Sequence, residues 1–146
     1  MITKIRHTGI VVRDLNKALG FYESLGLKVS SRQVEKGACI DQIVGIEKVS
    51  VETAKLSSLC GGYLELLQYH SHPIHEEIVN QDSNKLGCSH IALSVFSIED
   101  TIVEIKKLGG SSVNDPTLSK CGNYLVAYCH DCEGVLIEIV EEVNNG

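Results

Sequence analysis

The feature that most constrains the fold is an internal repeat. Residues 7–26, HTGIVVRDLNKALGFYESLG, align without a gap on residues 90–109, HIALSVFSIEDTIVEIKKLG. Each copy begins with the alternation of a half-buried strand, continues as an amphipathic helix and ends at glycine. The apolar helix positions are Leu15, Leu19, Tyr22 and Leu25 in the first copy and Ile98, Ile102, Ile105 and Leu108 in the second. The chain is therefore expected to contain two copies of one supersecondary unit.

The later parts of the two copies also match. GGYLELLQY (61–69) and EGVLIEIVE (133–141) are both glycine-led strands with a central glutamate. The remaining strands are predicted at 27–35 and 49–57 in the first half and at 111–114 and 123–130 in the second. The polar segment 70–87 contains proline and glycine and is typical of a linker. The sequence thus predicts one domain, 1–146, with a βαβββ module at about 1–69 and another at about 88–142.

Composition narrows the function classes. A formal net charge of −6, with no basic stripe, argues against nucleic acid as a partner. No apolar run approaches eighteen residues, and the N-terminal sequence MITKIRHTG lacks the apolar region of a signal peptide. These features favour a soluble, cytoplasmic protein with no membrane partner.

The six cysteines do not form a disulfide or zinc pattern. Four of them are scattered singly, and Cys129 and Cys132 form one CxxC pair without the second pair that a zinc ribbon needs. The simplest interpretation is six free thiols.

Four ionisable residues occupy equivalent positions in the two copies: His7, Glu65, His90 and Glu138. A single histidine of this kind is usually a packing residue, and a single glutamate usually faces solvent. However, a carboxylate buried in a strand needs a partner, a proton or a cation, and four such exceptions at matching positions are hard to ascribe to chance. Two imidazoles and two carboxylates suit one divalent ion, and Ni, Co, Zn, Mn and Fe all accept such N2O2 ligands.

These segments resemble the vicinal oxygen chelate superfamily, which contains glyoxalase I, methylmalonyl-CoA epimerase, extradiol dioxygenases and bleomycin resistance proteins. The resemblance covers nearly the whole chain, from HTGIVVRDLNKALGFYESLGLKV through SHIALSV to GVLIEIVE. It implies an α+β fold in which paired βαβββ modules form an open curved sheet around a metal site. It also implies that His7, Glu65, His90 and Glu138 are the metal ligands.

The ligand set favours one member of the superfamily over others. His-Glu-His-Glu is similar to bacterial glyoxalase I, a lyase of the lactoylglutathione type, whereas the epimerases usually carry glutamine where this chain has Glu65. An epimerase remains an alternative because Glu52, in VSVETAKL, is a candidate for that family's second acid/base glutamate; the alternative for Glu52 is a plain surface residue. Dioxygenases use three protein ligands, and resistance proteins of the sequestering type need no metal, so both rank lower.

The resemblance implies proton abstraction next to a carbonyl group, assisted by the metal as a Lewis acid. Glu138 is the first candidate for the base, Glu65 the second and Glu52 the third. The implied substrate is a small thiol-conjugated or CoA-linked oxo compound, and the implied assembly is a homodimer. The segment 37–50, GACIDQIVGIEKVS, is expected to border the cavity.

Overall fold

The computed structural model describes residues 1–143, which form two compact units, Met1–Glu76 and the residues from Glu77 onward. The elements of the first unit are β1 (Thr8–Val11), α1 (Leu15–Ser24), β2 (Lys28–Lys36), α2 (Ala38–Val44), β3 (Ser50–Ser57) and β4 (Tyr63–Tyr69). Its sheet has the strand order β1-β4-β3-β2. The β1–β4 pair is parallel, whereas the other pairs are antiparallel. The first βαβββ module is thus formed, with one additional short helix.

Helix α1 packs its apolar residues on one face of this sheet. The buried residues of α1 are Leu15, Ala18, Leu19, Phe21 and Tyr22. The Asp14 side chain caps the helix by accepting a hydrogen bond from the Lys17 amide at 3.0 Å. Gln68 of β4 accepts a second one, from the Leu15 amide at 2.8 Å. The opposite face of the sheet, which α1 does not cover, carries the Glu65 side chain.

The second unit repeats this plan with β5 (Ile91–Val95), α3 (Ile98–Lys107), β6 (Ser111–Ser112), β7 (Thr117–Leu118), β8 (Tyr124–His130) and β9 (Leu136–Glu142). Its strands run in the order β5-β9-β8-β6, and β7 also pairs with β8. Ser97 caps α3, and Glu141 of β9 accepts the Ile98 amide at 2.7 Å. Glu141 therefore takes the position that Gln68 has in the first unit, as the repeat requires.

Two elements differ from the sequence prediction. Residues 38–44 form helix α2, in the segment 37–50 for which the sequence predicted no helix or strand before residue 49. The helix has seven residues and buries only Ile40, too few for a periodic signal. Ile40 packs with Val49 and Val51, while Asp41 accepts the amides of Lys48 and Val49. The predicted strand 111–114 is shorter, at Ser111–Ser112, and the short strand β7 follows it.

The α+β fold class with paired βαβββ modules is confirmed. The six cysteines are free thiols, and Cys129 and Cys132 are buried. Burial raises the pKa of the Cys129 thiol, partly offset by its hydrogen bond with Ser112 and the charge of Lys106. Within residues 1–143, no helix has both the length and the apolar character needed to cross a membrane.

Candidate metal centre

The first unit brings His7 and Glu65 together. His7 immediately precedes β1, and Glu65 lies at the centre of β4, where it is in register with Gly9. The His7 Nε2 and Glu65 Oε2 atoms are 3.0 Å apart. The side chains are 35% and 14% exposed, so the carboxylate is largely withdrawn from solvent while the imidazole remains accessible.

The second unit builds an equivalent pair from His90 and Glu138. His90 precedes β5, and Glu138 in β9 is in register with Ala92, again a small residue. The His90 Nε2 and Glu138 Oε2 atoms are 3.2 Å apart, and both side chains are partly exposed. The other ring nitrogen, Nδ1, lies 3.2 Å from the Ser89 hydroxyl. This contact helps to orient the ring so that Nε2 is directed at the carboxylate.

The residue opposite the glutamate on the neighbouring strand differs between the two units. Lys55 in β3 is in register with Glu65, and Tyr128 in β8 is in register with Glu138. The Lys55 ammonium lies 3.6 Å from Glu65 Oε1. Tyr128 instead packs its ring against the edge of the His90 ring, with centroids 5.1 Å apart and planes at 86°. The same site in the repeat is therefore a cation in one unit and an aromatic ring in the other.

Sequence analysis missed both Lys55 and Tyr128. The signal that finds them is the repeat itself, because the offset of 73 residues that relates Glu65 to Glu138 also relates Lys55 to Tyr128. Burial, and then the charge of Glu138, raise the pKa of the Tyr128 phenol. Tyr128 is therefore protonated at neutral pH and can donate a hydrogen bond.

The structure does not bring Glu52 to this cluster. Side chains alternate between the two faces of a strand, so Glu52 lies on the opposite face from Lys55, three residues away, and thus from Glu65. Its carboxylate contacts Arg32 Nε at 2.7 Å and His70 Nε2 at 2.8 Å. These hydrogen bonds, first that of His70 and then that of Arg32, lower the pKa of Glu52. Arg32 also donates to Asn16 of α1, which places the network on the helix side of the sheet.

The four donors fit a divalent cation in type. Each unit offers one imidazole nitrogen and one carboxylate oxygen about as far apart as neighbouring metal ligands, and all four side chains are at least partly open to solvent. Among residues 1–143, no three or more histidine, cysteine or acidic side chains lie together in a group that could hold a metal ion. Each unit thus supplies one imidazole–carboxylate pair.

Paired βαβββ modules, each with a histidine before its first strand and a glutamate in its last, define the class of α+β proteins to which this fold corresponds. The model of the Glyoxalase/Bleomycin resistance protein/Dioxygenase superfamily matches residues 4–139. The chain belongs to this superfamily.

Individual relatives agree with this membership. A protein from Synechocystis sp. named "Probable lactoylglutathione lyase" is 29% identical over 137 residues, which cover 92% of each chain. A glyoxalase family protein from Bacillus cereus superposes with a TM-score of 0.90 at 24% identity, covering 99% of this chain and 97% of the other. A glyoxylase/bleomycin resistance protein/dioxygenase domain from Frankia sp. gives a TM-score of 0.65 at 17% identity, covering 100% and 96%. At these identities the solved structures establish the fold.

Proposed function

We propose that the protein is a divalent-metal-dependent lyase/isomerase of the glyoxalase I type, which abstracts a proton next to a carbonyl group. The observation that carries the proposal is the occurrence of a His–Glu pair at the same position of both modules, with Nε2–Oε2 distances of 3.0 and 3.2 Å. The Synechocystis relative named as a probable lactoylglutathione lyase supports the same reaction class.

His7, Glu65, His90 and Glu138 are the proposed ligands of one ion per chain. Their two carboxylates neutralise a dication, and the two imidazoles bind the borderline metals Ni, Co, Zn, Mn and Fe. The bound ion supplies a Lewis acid that stabilises negative charge on the substrate's oxygen atoms. The protein's part is to hold the four donors and to provide the group that moves the proton.

Glu138 is the proposed base. Within residues 1–143, Glu65 has contacts at both oxygens, with His7 at Oε2 and Lys55 at Oε1, whereas Glu138 has only the His90 contact, at Oε2. The second oxygen of Glu138 is therefore the one with room to meet a substrate proton. Glu138 would remove the proton from the hydroxyl-bearing carbon beside the carbonyl and return it to the carbonyl carbon, while the hydroxyl proton passes to the former carbonyl oxygen. The phenol of Tyr128, on the neighbouring strand, is placed to donate a hydrogen bond during this transfer.

The structure gives less support to the methylmalonyl-CoA epimerase alternative. That reaction needs a second acid/base group, and Glu52 lies on the other face of the sheet with Arg32 and His70 on its carboxylate. Glu65 also differs from the glutamine usual in epimerases. As in other members of the superfamily, the substrate is proposed to be a small molecule, here a thiol-conjugated oxo compound, and the assembly a homodimer.

Metal analysis and turnover test the proposal together. The purified chain is stripped with a chelator and titrated with Ni, Co, Zn and Mn, and each form is assayed with the methylglyoxal–glutathione adduct in D2O. We expect one ion per chain, metal-dependent product formation and exchange of the substrate's proton. Glu99→Gln, on the surface of α3, is the matched control for a lost negative charge. Full turnover by the stripped protein, or tight metal binding without product or proton exchange, would refute the glyoxalase-type reaction.

A further inference from the structure

Ser89 connects the His90 ring to the segment before it through two hydrogen bonds. The Ser89 hydroxyl oxygen is 2.6 Å from the Ser83 carbonyl oxygen and 3.2 Å from Nδ1 of His90. The other ring nitrogen of His90, Nε2, is 3.2 Å from the Glu138 carboxylate. Each nitrogen of this ring therefore has one polar partner, and Ser89 is the partner that no proposed metal ligand supplies.

The single proton of the Ser89 hydroxyl group decides the direction of both hydrogen bonds. A carbonyl oxygen only accepts hydrogen bonds, so the short contact with Ser83 requires the Ser89 proton. The Ser89 oxygen can then only accept at His90, and Nδ1 must carry the proton of that contact. The opposite arrangement, in which Ser89 donates to Nδ1, would leave two oxygen atoms 2.6 Å apart with no proton between them.

The Ser83 carbonyl group is positioned by a neighbouring residue that is attached to the sheet. The Gln81 amide donates to the Gly134 carbonyl oxygen at 3.0 Å, and the Gln81 carbonyl oxygen lies 2.9 Å from Nε2 of His130. His130 is the last residue of β8, and Gly134 lies in the turn before β9. The acceptor for the Ser89 hydroxyl is thus held two residues from a point that is bonded to the second sheet.

The first unit has no counterpart of this arrangement. Within residues 1–143, the only polar partner of the His7 ring is Glu65, at Nε2. The residue that precedes His7 is Arg6, whereas Ser89 precedes His90. The two histidines therefore differ at Nδ1, and His7 serves as an internal reference for any effect of Ser89.

We propose that Ser89 is a positioning residue for the metal centre: it accepts a hydrogen bond from Nδ1 of His90 and so makes Nε2 the nitrogen that binds the ion. A neutral imidazole has one protonated nitrogen and one lone pair for a metal, and the hydrogen bond at one nitrogen sets which is which. With the proton at Nδ1, the lone pair is at Nε2, on the side of Glu138. The inference rests on the proposed function, because it takes His90 as a metal ligand.

NMR spectra of ¹⁵N-labelled histidine rings test the proposal on the full-length chain, both metal-free and loaded with zinc. In the metal-free chain we expect Nδ1 of His90 to carry a proton. In the zinc form we expect that proton to remain and Nε2 to bind the ion. Ser89→Ala should lower the zinc affinity about three- to tenfold, the effect of one hydrogen bond, and should speed exchange of the Nδ1 proton with water. The ring signals of His7 should not change.

Two further variants separate positioning from a general structural effect. Ser89→Thr keeps the hydroxyl group and should restore both the affinity and the slow exchange. Ser24→Ala, at the exposed end of α1, should change neither. A His90 ring with its only proton on Nε2 in the metal-free chain would overturn the proposal, as would zinc bound at Nδ1 or an unchanged affinity in Ser89→Ala. Zinc binding without an effect of Ser89 would refute this inference alone, whereas a chain that bound no zinc would refute the proposed function as well.

Discussion

The two modules carry the same pair of ligands in different surroundings. In the first, Glu65 lies between His7 and the ammonium group of Lys55; in the second, Glu138 contacts His90, and the equivalent of Lys55 is Tyr128. The backbone positions are identical in register, so the difference comes from side-chain chemistry alone. The repeat preserves the ligands, while the residue opposite each glutamate differentiates the two carboxylates. Glu65 therefore has an imidazole at one oxygen and an ammonium group at the other, whereas Glu138 has only an imidazole, at one oxygen, among the described residues.

The largest expected effect is the difference between the two glutamates. Glu138→Gln keeps the size and one coordinating oxygen but removes the basic carboxylate. If Glu138 is the base, its turnover should fall by roughly 10²–10⁴, the usual contribution of a positioned acid or base. Glu65→Gln should have a milder effect, because it removes a ligand charge but not the base. Steady-state rates at saturating metal make the comparison, with metal content measured on each variant. Equal losses in the two variants would contradict the assignment of different roles.

The N-termini of α1 and α3 provide a second comparison between the modules, measured as the free energy of unfolding. Gln68 and Glu141 accept the first helical amides of α1 and α3, at 2.8 and 2.7 Å. Glu141→Met should lower the free energy of unfolding by about 1.5–3 kcal/mol and Gln68→Met by about 0.5–1.5 kcal/mol, because a charged acceptor forms the stronger hydrogen bond. A negative charge at a helix N-terminus adds to this difference. Urea unfolding measures both values, and Glu142→Met is the control at an exposed neighbouring position. A larger loss for Gln68→Met would reverse the expected order.

The third comparison concerns Lys55 and Tyr128 themselves, which should affect metal affinity in opposite directions. Lys55→Met removes a positive charge near the ion and should tighten metal binding about two- to fivefold, the scale of an exposed charge interaction. Tyr128→Leu removes the edge-to-face contact with His90 and should weaken binding about two- to tenfold, as expected for an aromatic pair. Tyr128→Phe keeps the ring and should leave affinity unchanged. Calorimetric titration with Zn measures the metal affinity of all three variants. If Lys55→Met and Tyr128→Leu changed this affinity in the same direction, the expected difference between the modules would be wrong.

The two His–Glu pairs are predictable from the sequence, because the repeat shows that each unusual residue has an equivalent in the other copy. His7 aligns with His90. The glutamates in LEL and IEI are conspicuous because a carboxylate is unusual between apolar residues, and it occurs there in both copies. Lys55 and Tyr128 do not stand out, since a lysine and a tyrosine are each ordinary in a half-buried strand. The 73-residue offset relates them, and the register of β3 with β4 and of β8 with β9 shows that each lies opposite the glutamate of its module.

The placement of Glu52 shows where sequence reasoning reaches its limit. Glu52 was a candidate base because the epimerases have a second acid/base glutamate on the corresponding strand, but the face that Glu52 occupies depends on the register between β3 and β4. Lys55 is opposite Glu65, so Glu52 faces α1 instead. Helix α2 illustrates a different limit: its position is fixed by Ile40 packing on β3 and by Asp41 accepting two amides, and neither contact leaves a periodic pattern.

The smallest expected effect is a difference in the pH dependence of stability between the sheet faces that pack on α1 and α3. The pKa of Glu52 is lowered by His70 and Arg32, so the folded state favours its ionised form. The corresponding stabilisation is present above the ordinary pKa of glutamate and is lost as pH falls through the lowered value, because the unfolded chain binds the proton first. Leu125 occupies the equivalent position of the second unit, 73 residues on, and contributes no such dependence.

Glu52→Gln should therefore reduce the loss of stability on acidification, by less than about 1 kcal/mol because both partners are largely exposed. Unfolding by urea at a series of pH values from neutral to acidic measures the difference, with Glu99→Gln as the control for loss of a carboxylate. Turnover at neutral pH should stay close to that of the unmodified protein, since Glu52 lies on the face opposite Glu65. A large loss of turnover with metal still bound would instead restore Glu52 as a second acid/base group and favour the epimerase reaction.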